Sequence, residues 1–253
     1  MHKVAVITGA AGALGTAIAD VLATRGWSLV LTDLPTADLE APTTALQARY
    51  PASDYCALPA DLSNPAEITG LISRAIAWKG RVDSLINNAA QPTRAGISDI
   101  SVPEWERVMN VNLRAPMLLM QALAPFLRVQ GTGGSIVNVA SRVWATGGPA
   151  AYVAAKAGLV GLTRSAAFEF GPIGVRVNAV APSAVATRFT SGSRSMEAMD
   201  EFQLRLENLS ALKRAPEIRE IATSVAYLAG EDSSFVTGEV LHVCGGLQLA
   251  PVP

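Results

Sequence analysis

Apolar and polar positions divide the chain into short and long segments that alternate. The short segments are runs of β-branched and other apolar residues, and the longer ones carry apolar residues at the spacing of one helix face. This alternation predicts strand-helix-strand units, and hence an α/β fold with a doubly wound parallel sheet covered by helices on both faces. Seven strands are predicted, near residues 3–7, 28–33, 53–58, 82–86, 134–140, 174–180 and 239–243.

One polar segment interrupts the alternation. Residues 190–208 lie between the sixth predicted strand and the last predicted helix. A long segment at such a place is typical of a lid over a binding pocket. We therefore predict a single domain over residues 1–253, with a substrate lid at about 188–212.

Length and composition agree with one well-buried domain. The 253 residues are 50% hydrophobic and 16% charged, with a mean hydropathy of +0.30. These values indicate a large apolar interior and apolar surface available to neighbouring subunits. The formal net charge is −1 and the basic residues are scattered, which is not typical of a nucleic-acid-binding protein. We expect neither DNA nor RNA as a partner.

The cysteines and histidines are too few and too far apart for a disulfide framework or a zinc site. They are Cys56, Cys244, His2 and His242. The first residues lead directly into an apolar strand without a cleavable signal pattern, and no apolar run approaches the ~20 residues that span a bilayer. We therefore expect a cytoplasmic protein without a metal ion and without a membrane contact.

A glycine-rich turn follows the first predicted strand. Residues 8–15 read TGAAGALG and open a helix near Thr16. Glycine and alanine allow the backbone to turn tightly and to approach a pyrophosphate, whose charge is favoured by free N–H groups at a helix N-terminus. A glycine-rich turn alone can be a mere tight connection. Its position between a strand and a helix indicates a dinucleotide site.

A carboxylate ends the second predicted strand. Asp33 lies 18 residues after Gly15, at the position where a carboxylate accepts hydrogen bonds from an adenosine ribose. Its charge would repel a 2′-phosphate, and neither Gly12 nor Leu34 supplies a cation that could pair with one. The sequence therefore favours NAD. A role for Asp33 as a turn or cap residue remains the alternative interpretation.

Tyr152 and Lys156 share one face of a predicted helix, because they are four residues apart. A phenol with the usual pKa of ~10 is a poor base at neutral pH, and an adjacent ammonium group favours the phenolate. Oxidised nicotinamide adds a second positive charge. The pair alone is common on solvated helix faces, but together with the glycine-rich turn it predicts the acid/base pair of an oxidoreductase.

Two further polar residues lie where such a site needs them. Ser141 closes the fifth predicted strand, at the sheet edge where open α/β sheets bind ligands, and its hydroxyl can orient a substrate oxygen. Asn112 lies among apolar neighbours in a helical stretch, where asparagine is a poor helix former. It either links a buried group to solvent or is a satisfied core amide, and the sequence leaves both interpretations open.

Together these motifs resemble those of the short-chain dehydrogenase/reductase family in its single-domain form, over residues 3–246. The resemblance implies a Rossmann-like fold. It also implies a homotetramer, or a homodimer, paired through the helices that hold Asn112 and Tyr152. The matching motifs, in chain order, are residues 8–15, Asp61-Leu62, residues 87–90, Asn112, Ser141, Tyr152 with Lys156, residues 178–187 and residues 237–246.

The resemblance also implies a role for each matching residue. Tyr152 would exchange the hydroxyl proton of the substrate while a hydride passes between carbon and nicotinamide, and Ser141 would position the oxygen. Lys156 would also hold the nicotinamide ribose, and Asn112 would fix a water that joins Lys156 to solvent. The implied cofactor contacts are Gly9, Ala11, Gly12, Leu14, Asp33, Asp61, Leu62, Asn87, Asn88, Ala89, Ala90, Tyr152, Lys156, Pro182, Val185 and Thr187.

Several positions depart from the pattern of the family. Ala13 replaces the middle glycine of the phosphate turn, where its methyl would narrow the approach to a pyrophosphate and Gly12 would restore some backbone freedom. Ten residues separate Ser141 from Tyr152, two fewer than is common in the family. We therefore expect a short loop at 142–151 and an altered pocket. Smaller departures are Ala90, Ser183 and Cys244.

The substrate is the least determined part of this interpretation. The implied substrate contacts are Gln91, Arg94, Arg142, Val143, Trp144, Ser183, Ala184 and Arg188. An arginine there can pair with a carboxylate or a phosphate, although a surface or subunit contact is its commoner role. We predict a secondary alcohol or its ketone, such as a sugar, polyol, hydroxy acid or cyclic alcohol. The alternatives are an NADP-linked carbonyl reductase and a nucleotide-sensing protein without turnover.

Overall fold

The computed structural model describes residues 2–185 and 196–249, with side chains throughout except at 196–199. In these residues seven strands form one parallel sheet in the order β3-β2-β1-β4-β5-β6-β7. The strands are β1 (Val4–Thr8), β2 (Ser28–Thr32), β3 (Tyr55–Ala57), β4 (Ser84–Asn87), β5 (Gly134–Val139), β6 (Val175–Pro182) and β7 (Val240–Val243). The predicted α/β class and doubly wound sheet are confirmed, and no strand end differs from its prediction by more than two residues.

Helices cover both faces of the sheet. The described helices are α1 (Ala13–Thr24), α2 (Glu40–Arg49), α3 (Pro65–Lys79), α4 (Val102–Met109), α5 (Ala115–Gln130), α6 (Val143–Thr146), α7 (Ala150–Phe170), α8 (Met196–Leu209) and α9 (Ile218–Ala229). Residues of α3, α5 and α7 pack on one face of the sheet, and residues of α1, α2 and α9 pack on the other. This is the layered arrangement expected of a parallel sheet, whose strands are buried on both sides.

The central strands are apolar because neither face of the sheet reaches solvent. Every residue of β1 and β2 is buried. Large aliphatic side chains such as Ile7, Leu29 and Leu31 have no exposed surface at all. Burying each of them contributes about 1.5–3 kcal/mol to folding. The sheet is therefore a rigid platform for the loops at its carboxyl edge.

Local sequence signals set where several helices begin and end. Asn64 and Ser101 precede α3 and α4, and their side chains accept the backbone N–H groups of Ala66 and Glu104. Such caps satisfy N–H groups that lack a partner within the helix. Gly80 ends α3 in the left-handed conformation, with φ of 67°, which glycine adopts without steric cost.

The strand order creates a crevice at the carboxyl edge of the sheet. The chain leaves β1 towards β2 on one side and returns to β4 on the other, so the loops after β1 and β4 diverge. Open α/β sheets bind ligands at this switch point. The glycine-rich turn follows β1, and residues 88–91 follow β4, so both predicted motifs flank the crevice.

The predicted lid at 188–212 falls only partly within the described residues. Its described portion contains α8 and the start of the segment that leads to α9. Within residues 2–185 and 196–249, no helix combines the length and the apolar character needed to cross a membrane. Over the same residues, no group of three His, Cys, Asp or Glu side chains is arranged to hold a metal ion.

Candidate active site

A cleft of about 1150 Å³ opens at the ends of β1, β4, β5 and β6. Its volume slightly exceeds the range of about 300–1,000 Å³ that is usual for small-molecule sites. Of the predicted cofactor residues, those that line it are Gly9, Ala11, Gly12, Leu14, Asp33, Asp61, Leu62, Asn88, Ala89, Ala90, Tyr152, Lys156, Pro182 and Val185. Thr187 lies outside the described residues. One cleft therefore joins the phosphate motif to the predicted acid/base pair.

The glycine-rich turn is packed so closely that two of its glycines cannot carry a side chain. Gly9 has φ of +65°, and a Cβ there would lie 2.9 Å from the Cα of Ala89. A Cβ on Gly15 would lie 2.1 Å from the carbonyl oxygen of Gly9. These two residues allow α1 to start directly against the end of β1 and the loop after β4.

Gly12 differs from the other glycines of the turn. It is the N-cap of α1 with φ of −72°, and a Cβ there would meet only the Gly9 carbonyl oxygen, at 3.4 Å. The expected backbone freedom at Gly12 is therefore not used, because any residue can adopt this conformation. No side chain caps α1, so its first N–H groups are available to an anion in the cleft. Ala13, the first residue of the helix, is exposed on the cleft wall.

Asp33 lines the cleft and is also part of the turn. One carboxylate oxygen accepts the N–H of Ala11 at 3.0 Å, and the other accepts the N–H of Leu34 at 2.8 Å. The turn contact considered as an alternative is therefore present. Each carboxylate oxygen has a second lone pair, so the same residue can still accept hydrogen bonds from a ribose.

The loop after β4 is tied to the glycine-rich turn by Thr8 and Asn88. The Thr8 hydroxyl accepts the N–H groups of Asn88 and Ala89, both at 2.9 Å. The Asn88 amide donates to the carbonyl oxygens of Thr8 and Gly9, at 2.9 and 3.1 Å. These bonds fix both walls of the nucleotide end relative to each other.

Asn87 does not line the cleft, contrary to the expectation from the family pattern. Its side chain is buried and donates to Asn138 at 2.8 Å, and Asn138 donates in turn to the hydroxyl of Thr163 on α7. The reason is the period of a strand, which turns Asn87 into the sheet interior and leaves Asn88 at the edge. Asn87 therefore connects β4 to β5.

Ser141, Tyr152 and Lys156 meet at the other end of the cleft. The hydroxyls of Ser141 and Tyr152 are hydrogen-bonded to each other. The Lys156 side chain is 2% exposed and its ammonium lies 5.5 Å from the centroid of the Tyr152 ring. It donates to the carbonyl oxygen of Val139, at the end of β5, at 2.6 Å. The first two turns of α7 thus place Tyr152 and Lys156 against the carboxyl end of β5 and Ser141.

Burial controls the protonation of this pair. Burial raises the pKa of Tyr152 well above its ordinary value, and the hydrogen bond from Ser141 offsets part of this rise. Burial lowers the pKa of Lys156 to about 7, because desolvation disfavours the ammonium form. The expected lowering of the tyrosine pKa by its lysine neighbour is therefore outweighed by burial in this structure.

Asn112 lies in a wide helical turn, Asn110–Arg114, between α4 and α5. Single turns of this type occur frequently at functional sites. The Asn112 side chain is fully buried. Its oxygen accepts the N–H of Gln91 at 2.6 Å and its amide donates to the carbonyl oxygen of Gln91 at 3.0 Å. The side chain thus holds the loop after β4, as the satisfied-amide interpretation requires.

Most of the predicted substrate contacts line the same cleft. These are Gln91, Arg94, Arg142, Val143, Ser183 and Ala184. Trp144 is not among the described lining residues. It is partly buried and packs against a cluster of Ala140, Val160, Ala179, Ala181 and Val240, and its indole N–H donates to His242 at 3.2 Å, an acceptor that satisfies the indole. Arg188 lies outside the described residues.

The loop between Ser141 and Tyr152 is as short as its sequence indicates. It contains the single helical turn α6 and two glycines with positive φ, Gly147 and Gly148, before α7 begins. Other lining residues were not foreseen, including Arg107 on α4 and Phe202 on α8. Phe202 falls within the lid predicted at 188–212, whereas nothing in the local sequence distinguishes Arg107, because tertiary packing alone brings α4 to the cleft.

Comparisons with known proteins find relatives over nearly the whole chain. Residues 9–248 match a family model described as enoyl-(acyl carrier protein) reductase. The chain is 35% identical over 249 residues to a hydroxy(phenyl)methylsuccinyl-CoA dehydrogenase subunit of Thauera aromatica, with 98% of this chain and 97% of the relative covered. It is 34% identical to the trans-4-hydroxycyclohexanecarboxylate dehydrogenase of Sinomonas cyclohexanicum, with 97% and 92% covered.

Among solved structures, the crystal structure of levodione reductase is similar to this chain. It superposes with a TM-score of 0.90 at 32% identity, and 98% of each chain is covered. The agreement extends along the whole sheet and its helices. The similarity is therefore one of the complete fold.

Proposed function

Because the chain belongs to the short-chain dehydrogenase/reductase family, we propose that it is an NAD-dependent oxidoreductase that interconverts a secondary alcohol and its ketone. The substrate classes considered are sugars, polyols, hydroxy acids and cyclic alcohols. One observation carries the proposal. The hydrogen-bonded hydroxyls of Ser141 and Tyr152 lie beside the buried Lys156, in the same cleft as the glycine-rich turn.

The nucleotide end of the cleft fits a dinucleotide. Gly9 and Gly15 leave no room for a side chain, so the backbone itself forms the wall. The uncapped N-terminus of α1 offers N–H groups to a pyrophosphate. Asp33 would hold the adenosine ribose, Asp61 and Leu62 would border the adenine, and all three line the cleft.

The protein's contribution to the chemistry is to hold the substrate oxygen and to move its proton. A bound nicotinamide supplies the carbon that accepts or donates the hydride. The Ser141 hydroxyl orients the oxygen of the substrate. Tyr152 takes the proton of the alcohol during oxidation and returns it during reduction.

The pKa shifts describe how this proton transfer is prepared. Burial keeps Tyr152 in the phenol form, which is the form that donates a proton to a ketone. For oxidation the phenolate must become accessible, so positive charge must enter the site. The Lys156 ammonium and an oxidised nicotinamide ring both supply it. Lys156 would also hold the nicotinamide ribose.

Asp33 supports NAD over NADP. A 2′-phosphate placed near this carboxylate would meet like charge, which costs binding free energy. Asp33 already accepts two backbone N–H groups and is therefore held in place. The NADP-linked reductase stays the competing proposal, and a nucleotide sensor without turnover is the second.

A panel of alcohols and ketones tests the proposal. Formation of NADH should follow addition of secondary alcohols with NAD, and consumption of NADH should follow addition of the matching ketones. Tyr152→Phe should retain NADH binding, measured by fluorescence titration, and should lose activity by a factor of about 10² or more, because the proton carrier is missing.

Tyr227→Phe is the matched control, since Tyr227 is a partly exposed residue on α9. It should retain full activity. Equal activity of Tyr152→Phe and the wild type would refute the role of Tyr152. Cofactor binding without turnover over the whole panel would favour a sensor, and tighter binding of NADPH than NADH would favour the NADP-linked enzyme.

We also propose a homotetramer, or a homodimer, in the cytoplasm. The family resemblance supports contacts through α5 and α7. Both helices carry exposed apolar residues, Val129 and Phe168 among them. Small molecules are the proposed ligands of the cleft.

A further inference from the structure

Charge is unevenly distributed along the cleft. Among the described lining residues, the carboxylates Asp33 and Asp61 belong to the nucleotide end. Arg94, Arg107 and Arg142 line the cleft outside that end. The N–H of Ala150, at the start of α7, donates to the carbonyl oxygen of Ala95, so the loop that carries Arg94 is held beside the Tyr152 turn. The substrate end is therefore cationic.

Arg142 is the arginine closest in the chain to the reacting groups. It directly follows Ser141, and its backbone N–H donates to the carbonyl oxygen of Pro182 at 3.0 Å, which fixes it between the ends of β5 and β6. Its side chain is partly buried on the cleft wall. A group bound to this guanidinium would share the cleft with the Ser141 and Tyr152 hydroxyls.

Within residues 2–185 and 196–249, the guanidinium of Arg142 has one hydrogen-bond partner, the neutral hydroxyl of Thr146 at 3.0 Å. A guanidinium carries five N–H donors, so most of them are unused. Other arginines are better satisfied. Arg81 pairs with Asp83 at 2.6 Å, and the half-buried Arg176 donates to two backbone carbonyl oxygens and to a serine hydroxyl.

A partly buried cation without a counter-ion costs stability, which a protein tolerates where function needs it. Burial lowers the pKa of Arg142 from its ordinary value, and the nearby Cys244 offsets part of this effect. An anion bound beside Arg142 would relieve the desolvation. Arg107 gains less from a bound anion, because the carboxylate of Glu104 lies 4.0 Å from its guanidinium. Arg94 already has an interaction partner.

The surroundings of Arg142 determine which anion fits. Val143, Pro149, Ala184 and Phe202 also line the cleft and give it apolar walls. One guanidinium matches one carboxylate through two parallel hydrogen bonds. A phosphate prefers several donors, such as the helix N-terminus at the other end of the cleft. The substrate end thus suits a compact apolar body that carries a single carboxylate.

We propose that the substrate is a carboxylate-bearing secondary alcohol, or the matching keto acid, and that Arg142 binds its carboxylate and determines this specificity. The inference rests on the proposed function. The alcohol oxygen would lie at Ser141 and Tyr152 while the carboxylate pairs with Arg142. Neutral alcohols of the same shape would leave the cation of Arg142 unpaired and would bind more weakly.

Matched substrates test the inference. We would measure kcat/KM with NAD for 4-hydroxycyclohexanecarboxylate, for its methyl ester and for 4-(hydroxymethyl)cyclohexanol phosphorylated on the primary hydroxyl. The acid should exceed the ester tenfold to hundredfold, the range expected for a charge-assisted hydrogen-bonded pair. Equal values for acid and ester, or a preference for the phosphate ester, would overturn the inference.

Arg142→Gln should remove most of the preference for the acid, and Arg142→Lys should retain part of it, since lysine keeps the charge but not the planar fork. Arg49→Gln is the matched control. Arg49 is an exposed residue on α2 whose partner is Asp20, at 2.6 Å, and the ratio of acid to ester should be unchanged there. An Arg142→Gln protein that binds NADH normally and keeps the full preference would refute the role of Arg142.

A binding measurement separates this inference from the proposed function. Cyclohexanecarboxylate, which has no hydroxyl to oxidise, should stabilise the NADH complex against thermal unfolding, and cyclohexanecarboxamide should not. Arg142→Gln should lose this stabilisation. If no alcohol is turned over, the proposed function fails, and the binding result still decides the carboxylate site. Equal turnover of acid and ester, together with equal stabilisation by the carboxylate and the carboxamide, overturns only the carboxylate site.

Discussion

Lys156 shows how a single buried residue ties function to stability. Its side chain is 2% exposed, and its ammonium donates to a neutral acceptor, the carbonyl oxygen of Val139. Burial lowers its pKa from 10.5 to about 7. In the unfolded chain the same lysine stays charged up to its ordinary pKa. Burying Lys156 therefore costs free energy of folding at neutral pH. In return, the site holds a group that can change charge near pH 7.

This shift predicts a pH dependence of stability. Between pH 7 and about 10.5 the unfolded chain holds the proton on Lys156 and the folded chain does not, so the cost of burial falls as the pH rises. Below pH 7 Lys156 is protonated in both the folded and the unfolded chain, so the full cost of burying its charge opposes folding. The free energy of unfolding of the wild type relative to Lys156→Met should thus rise by a few kcal/mol over this window, since one pKa unit corresponds to about 1.4 kcal/mol.

Urea titrations of both proteins without cofactor, at several pH values from 6 to about 10, would measure this difference. Other titrating groups, Cys56 included, are present in both proteins and cancel in the comparison. Parallel curves for the two proteins would contradict the lowered pKa of Lys156.

At the residue scale, Asp33 is the residue proposed to select NAD. Asp33→Ala removes the charge that opposes a 2′-phosphate, so the ratio of kcat/KM for NAD to that for NADP should fall at least about tenfold, the effect of ~1.4 kcal/mol. Asp33→Asn should also lower this ratio, and its remaining side-chain oxygen can still accept a hydrogen bond from the turn. Kinetics with both cofactors measure the ratio.

Asp99→Asn is the control, because Asp99 is exposed in the loop before α4. Its ratio should equal that of the wild type. Continued rejection of NADP by Asp33→Ala would mean that another group determines the selectivity.

At the scale of elements, the junction of β1, α1 and the loop after β4 depends on backbone contact. A Cβ on Gly15 would lie 2.1 Å from the carbonyl oxygen of Gly9. The Thr8 hydroxyl accepts two N–H groups of the loop after β4. The turn thus positions two cleft walls at once. Its glycines are needed for packing, in addition to any contact with phosphate.

Gly15→Ala should therefore damage the fold as well as the nucleotide site. A 2.1 Å approach of Cβ to a backbone oxygen forces α1 away from β1, and we expect a loss of about 2 kcal/mol or more, within the range for overpacked or strained positions. Gly12→Ala is the matched variant, since its Cβ would lie 3.4 Å from the same oxygen. It should lose less than about 1 kcal/mol. Thermal and chemical unfolding measure both, and equal losses would contradict the packing argument.

The sequence predicts elements better than it predicts contacts between them. Runs such as Val4–Thr8 and Ser28–Thr32 are recognisable because a parallel sheet buries both faces of its strands and so favours apolar residues there. The resemblance to the family implies that Asn87 and Trp144 line the cleft. The structure turns one towards Asn138 and the other towards His242, and neither partner is near in sequence.

The direction of the Tyr152 pKa shift also cannot be inferred from the local sequence. The Tyr152 and Lys156 spacing predicts an acid/base pair, but the direction of the tyrosine pKa depends on how deeply the cleft buries it. That depth results from the packing of α7 against β5 and the loop after β4. Long-range contacts of this type leave no periodic signal in the chain.

At the scale of the whole molecule, part of the exposed apolar surface lies on α5 and α7, the helices proposed to form the subunit contact. Phe168 on α7 is 90% exposed and Val129 on α5 is 86% exposed. Arg128 and Glu169, the residues next to them, lie 3.6 Å apart, so both apolar side chains belong to one region of the surface. Large side chains exposed together favour association with another subunit.

This region predicts where assembly can be broken. In a two-fold interface each substitution occurs twice, so Phe168→Glu places two charges in apolar surroundings and removes two buried aromatic rings. Each ring is worth about 1.5–3 kcal/mol when buried. The proposed tetramer should therefore dissociate to a smaller species, as measured by light scattering after size-exclusion chromatography. Phe235→Glu is the control, because Phe235 is fully exposed in the loop before β7 and lies on neither α5 nor α7. If Phe168→Glu and Phe235→Glu both keep the mass of the wild type, α7 does not form the subunit contact.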